Sequence, residues 1–171
     1  MRVLAEEPAQ VFGASALEAL VLPTEHARSW AMLRRIYRRF DPDVVIHFGL
    51  SGRAKAIQVE TVARNRVAPD QPDAIGVALR SGHVRRGGAE TLAATTPTKA
   101  ILAALKDKGV AAQVSDDAGD YVCNATLYRS LHAAPPWRRV GFIHVPPGGR
   151  RFGHESLVEA ARIVLRTAAS P

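Results

Sequence analysis

One cysteine, Cys123, follows the turn Asp117-Ala118-Gly119-Asp120-Tyr121-Val122 and leads through Asn124 into a stretch that reads as a helix. A thiol delivered to a helix start meets unpaired N–H groups and the positive end of the helix dipole, which favour the nucleophilic thiolate. Two other segments place reactive side chains on apolar strands: His144 in Gly141-Phe142-Ile143-His144-Val145-Pro146, and Glu60 in Val59-Glu60-Thr61. Cysteine, histidine and a carboxylate are a nucleophile, a base and a group that orients the base, the set that acyl transfer requires. Residue type alone does not join them. A lone buried cysteine is usually an inert small hydrophobe, and a histidine in an apolar strand is usually a hydrogen-bonded core residue.

The elements that must position these groups alternate. Ala19 to Leu22 is a short apolar run stopped by Pro23 and reads as a buried strand. Thr24 can cap a helix to about Phe40, with Trp30, Leu33, Ile36 and Tyr37 on one face. Val44 to Phe48 and Ala56 to Ala63 read as strands, and Pro69 to Gly88 as a long surface loop. A helix over Thr98 to Lys108, a strand over Ala111 to Val114, a helix over Asn124 to His132 and a strand over Val140 to Val145 follow. Gly148 to Gly153 is a basic glycine loop before a closing helix from Glu155 to Thr167. Strands alternating with helices predict a layered α/β fold, three layers around a mostly parallel, mixed sheet, with residues 1–171 as one domain. In such sheets functional groups gather where strands end and helices begin.

Composition narrows the classes. The chain has 171 residues and a formal charge of +7. Its arginines are scattered in pairs, such as Arg34-Arg35 and Arg85-Arg86, without the interleaved aromatics of a nucleic-acid stacking platform. No nucleic-acid partner is therefore expected, and the charge reads as a solvated surface. No apolar run approaches the ~20 residues of a membrane span, and Met1 to Gln10 lacks the apolar core of a secretory signal. A single cysteine fits a reducing, cytoplasmic setting. The six histidines show no short pair at metal-ligand spacing, so neither a metal nor another cofactor is expected.

Five ordered segments resemble the pyroglutamyl peptidase I (pyrrolidone carboxyl peptidase) family. Glu60-Thr61-Val62-Ala63-Arg64-Asn65 is similar to its Glu-Arg-x-Ala-x-Asn motif, and Ser115 to Asn124 to its Ser-x-x-Ala-Gly-x-Phe/Tyr-x-Cys-Asn motif. Phe142-Ile143-His144-Val145-Pro146 is similar to its Phe-x-His-x-Pro strand, Thr96-Pro97-Thr98-Lys99-Ala100 to its Leu-Pro-x-Lys-Ala helix start, and Leu22-Pro23-Thr24 to a comparable turn. The resemblance implies a cysteine-type omega-peptidase that removes an N-terminal pyroglutamyl residue, with Cys123 as nucleophile, His144 as base and Glu60 as orienter. It implies that Thr24, Tyr121 and Val122 border the substrate pocket, and that the chain forms a homo-oligomer, a tetramer in most members.

The chain departs from that pattern in three places. Nothing before Ala19 resembles the family's opening strand and its Gly-Phe-x-Pro-Phe-Gly-Gly loop, so the domain is expected to be N-terminally incomplete, with Met1 to Gly13 as the end of the following helix. The family's arginine near the oxyanion has no counterpart in register; Arg64 and Arg66 are the nearest. Leu50 stands where many members carry glutamine. The alternative reading is a catalytically impaired relative acting as an oligomeric or binding protein.

Overall fold

In the computed structural model residues 6–149 and 152–170 are described. A 3-10 turn at Ala9–Phe12 opens them. Helix α1 (His26–Arg39) buries His26, Ser29 and Leu33 on one face. Arg38 and Arg39 close its last turn, where cations complement the helix dipole. Strand β1 (Val44–Leu50) leads to β2 (Ile57–Glu60), β3 (Val62–Arg64) and β4 (Thr91–Ala93). Helix α2 (Thr98–Asp107), strand β5 (Ala112–Ser115), helix α3 (Val122–Ala133), strand β6 (Arg139–Val145) and helix α4 (His154–Ala169) complete the order.

The main sheet runs β1-β6-β2-β5. Strand β1 is parallel to β6 and β2 is parallel to β5, while β6 and β2 are antiparallel. The sheet is thus mixed, as the alternation of elements predicts. A separate antiparallel ribbon joins β3 and β4. Because side chains alternate along a strand, β6 feeds two cores. Ile143 packs with Ile57, Val59, Ile101, Leu105, Ile163 and Val164 under α2 and α4. Val140 and Phe142 pack with Leu127 and Tyr128 of α3 on the opposite face, and α1 lies against α3. Each fully buried aliphatic or aromatic chain contributes roughly 1.5–3 kcal/mol, so the two cores hold all three layers together.

Three expectations are corrected, and one strand was not expected. Ala19 to Leu22 is not a strand: the segment has no ladder partner among the described residues and instead lines, with β1, a groove of about 450 Å³. Thr24 is not the cap of α1. The N-cap is Glu25, without a side-chain bond, and the carboxylate of Asp73 accepts the N–H of His26 at 2.9 Å from a distant loop. The stretch from Ala56 to Ala63 is two strands, broken at Thr61, whose N–H and hydroxyl both donate to the carbonyl of Ser115. Strand β4 was hidden in the sequence by its brevity and exposure. Of the expected helix end at Met1 to Gly13, residues 1–5 lie outside the described residues, as do Arg150 and Arg151 of the Gly148 to Gly153 loop.

Candidate active site

The site is assembled on one face of the sheet. Pairing sets Glu60 of β2 opposite Phe142 of β6, and Gln58 opposite His144. Glu60 and His144 are therefore diagonal neighbours on one face, a separation that long side chains bridge. The Nδ1 of His144 lies 2.7 Å from Oε1 of Glu60, and both side chains are buried. That bond fixes the imidazole so that Nε2 is left for a second partner. Strand β1 adds Gly49, paired with His144 across the parallel ladder. A Cβ on Gly49 would lie 3.1 Å from Cys123 Sγ and 2.7 Å from the Phe142 ring, so only glycine lets thiol and ring approach here.

Cys123 is the second residue of α3, which starts two positions before the Asn124 expected from the sequence. Its sulfur sits beside Gly49, the partner of His144 across the β1–β6 ladder, and is one of the groups that raise the pKa of His144. Burial is the largest single effect on His144 and pulls its pKa down. The neighbouring Cys123 and Glu60 side chains outweigh it and raise the pKa to about 9. The imidazole is thus held ready to carry a positive charge between a sulfur and a carboxylate.

Asn124, quoted in the sequence motif but not singled out as a site residue, locks the loop after β3 to the start of α3. Its Oδ1 accepts the N–H of Arg64 at 2.9 Å, and its Nδ2 donates to the carbonyls of Arg64 and Arg66 at 2.8 Å. The guanidinium of Arg64 donates to the Asp116 carbonyl, and that of Arg66 pairs with the Asp117 carboxylate, both at the surface. Both arginines are thereby engaged with the Asp116-Asp117 turn.

Three consecutive residues gather the expected pocket groups. The hydroxyl of Tyr121 donates to the Pro72 carbonyl at 3.0 Å, Asp73 caps α1, and the N–H of Ala74 donates to the Thr24 carbonyl. Asp73 also accepts the N–H groups of Ile75 and Val77, which makes the turn rigid. Val122 is buried as the first residue of α3. Thr24 and Tyr121 are thus drawn to one loop beside the nucleophile helix, and the ring of Tyr121 meets His26 edge-on at 5.9 Å. Among the described residues no three His, Cys, Asp or Glu side chains converge to hold a metal ion, and no helix is long and apolar enough to cross a membrane.

Known proteins share the sequence and the fold of this chain. The family model for pyroglutamyl peptidase matches residues 5–150. A pyrrolidone-carboxylate peptidase of Clavibacter michiganensis is 37% identical over 136 residues, 78% of this chain and 64% of that protein. One of Chromobacterium violaceum is 38% identical over 161 residues, 87% of this chain and 74% of that protein. The match therefore spans under two thirds of the Clavibacter protein's length and about three quarters of the Chromobacterium one's. The crystal structure of pyrrolidone carboxyl peptidase from Thermus thermophilus superposes with a TM-score of 0.81 at 29% identity, covering 90% of this chain and 86% of that one. With a family model matched over most of its length and relatives above 30% identity, the chain belongs to the pyroglutamyl peptidase family.

Proposed function

We propose that the chain hydrolyses the bond after an N-terminal pyroglutamyl residue by acyl transfer through Cys123, His144 and Glu60. The observation that carries this reading is His144 bound at Nδ1 by buried Glu60 while the Cys123 sulfur sits beside Gly49, the β1 partner of His144. His144, with its pKa raised to about 9, already holds the thiol proton when the sulfur attacks the acyl carbonyl carbon that joins the pyroglutamyl residue to the peptide nitrogen. The tetrahedral intermediate then collapses, and His144 returns the proton to the departing peptide amine. Water, deprotonated by His144, cleaves the thioester and restores the thiol. Glu60 holds the tautomer and balances the imidazolium charge. The N–H groups opening α3 lack helical acceptors, and that of Cys123 is the natural donor to the oxyanion.

Thr24, Tyr121 and Val122 border the acyl pocket in this reading, supported by the loop that draws Thr24 and Tyr121 together. Residues 1–171 act as one domain, supported by the shared cores. A cytoplasmic location rests on the single free cysteine, and a homotetramer rests on resemblance to the family. Release of a chromogenic amine from a pyroglutamyl amide tests the activity. Turnover that Cys123→Ala abolishes supports it, and no turnover by the folded chain sinks it. Light scattering after gel filtration tests the tetramer.

A further inference from the structure

The rings on the active face form a row that the acyl-transfer steps do not use. Phe142 lies in register between His47 of β1 and Glu60 of β2. Its ring centroid is 4.7 Å from that of His144, at an interplanar angle of 47°. The His47 ring, across the ladder on β1, lies 5.9 Å from it. The His47 Nε2 is 2.9 Å from the hydroxyl of Ser130, which also accepts the hydroxyl of Tyr37 at 2.8 Å. Ser130 belongs to α3, the helix that carries Cys123. Gly49 leaves the space that the outer edge of the Phe142 ring occupies.

A cation within about 6 Å of an aromatic centroid is attracted by the ring's quadrupole, and more strongly when both are desolvated. We infer that Phe142 is a positioning residue whose ring stabilises the imidazolium of His144 opposite the thiolate of Cys123. The row back to Ser130 gives that ring a fixed height relative to the nucleophile helix. The ionisable groups around His144 are Glu60 from β2, Cys123 from α3 and, one ring further away, His47 from β1. Burial pulls the pKa of His47 down to about 4, so it is neutral at working pH and supplies no competing cation. Phe142 thus faces one cation, on the residue that must gain and lose a proton in each turnover.

The inference rests on the proposed reaction, and its test is separable from it. Phe142→Leu is compared with the parent chain by kcat, KM, the imidazole titration of His144 in NMR spectra and the rate of iodoacetamide alkylation at Cys123. The expected result is a fall in kcat on the order of tenfold with KM within twofold. The His144 titration moves below about 9, and alkylation at neutral pH slows. Phe142→Met, which keeps the bulk and loses the ring, gives the same pattern and replaces the leucine variant should that one fail to fold. An unchanged His144 titration and alkylation rate in a folded variant overturns the inference, even where kcat, KM and melting all drift through general loosening. Titration and alkylation need no substrate, so a chain inactive on pyroglutamyl amides still decides the role of Phe142.

Discussion

Glu60 and His144, separated by 84 positions in the chain, meet through a 2.7 Å bond between a carboxylate oxygen and Nδ1. The second oxygen of Glu60, Oε2, is buried and has no partner among the described residues. The carboxylate is thus committed to one task, holding the imidazole.

Replacing Glu60 with Gln removes that charge while keeping its shape. The expected loss in kcat is on the order of 10²–10⁴, by analogy with orienting carboxylates in other triads. The pH dependence changes as well. His144 has its pKa raised from 6.5 to about 9 in the folded chain, so the stabilisation it provides is full below about pH 6.5. It declines as pH rises and is lost above about 9. Urea midpoints of the parent chain should fall across that window, and those of Glu60→Gln should fall less. Equal slopes would remove Glu60 from the account.

Cys123→Ala should abolish amine release from a pyroglutamyl amide to within the assay background, at least 10³-fold. The same change withdraws one of the groups that raise the pKa of His144. An NMR titration of the variant should therefore find the imidazole losing its proton at lower pH than in the parent. An unchanged titration would mean that sulfur and imidazole do not touch.

His26 is buried beside Tyr121, and its Nδ1 has no hydrogen-bond partner among the described residues. A polar atom left unmet inside a protein costs about 1–3 kcal/mol. His26→Phe keeps a ring for Tyr121 and removes that atom, so it should stabilise the chain by about 1 kcal/mol, a few degrees in melting temperature at this size. A lower melting temperature would show that the imidazole has a partner after all.

Asp73 accepts three backbone N–H groups, from His26, Ile75 and Val77. Its carboxyl feels burial first, which raises its pKa, but these hydrogen bonds together carry it below the ordinary value. Asp73→Ala should lower the melting temperature and raise KM more than it lowers kcat, because the loop that holds Thr24 and Tyr121 is freed. With the folded pKa depressed, the contribution is present above the ordinary value near 3.8 and disappears as pH falls through the lower, folded one. Parent and variant should therefore converge in strong acid. A drop in kcat at unchanged KM would place Asp73 outside the pocket wall.

Ser130→Ala leaves the Tyr37 hydroxyl and the His47 Nε2 without their shared partner. Each buried group so stranded costs about 1–3 kcal/mol. Denaturant unfolding should show a loss of that size, and a neutral result would mean that water replaces the serine.

Much of this molecule is local in origin and was readable as such. Val44 to Phe48, Val140 to Val145 and the helix from Thr98 announce themselves by apolar runs, and Gly109 stops the last of these with a left-handed φ of 72°. Cys123, His144 and Glu60 stand in motifs whose order along the chain was enough to name them together. Ala19 to Leu22 misled because an apolar run states a wish for burial, not the presence of a neighbouring strand. The break at Thr61 was invisible because it depends on the carbonyl of Ser115, 54 positions away.

What only the tertiary structure decided has the same cause throughout: distant backbones had to be brought together. Antiparallel pairing of β2 with β6 made Glu60 and His144 diagonal neighbours. Parallel pairing of β1 with β6 set Gly49 beside His144 and His47 beside Phe142. Asp73 became the cap of a helix that starts 47 positions earlier. The sequence determined which side chains can do the chemistry and which segments carry them. Register determined which of those side chains touch, because a slip of one residue in either pairing would turn His144 or Glu60 to the opposite face of the sheet.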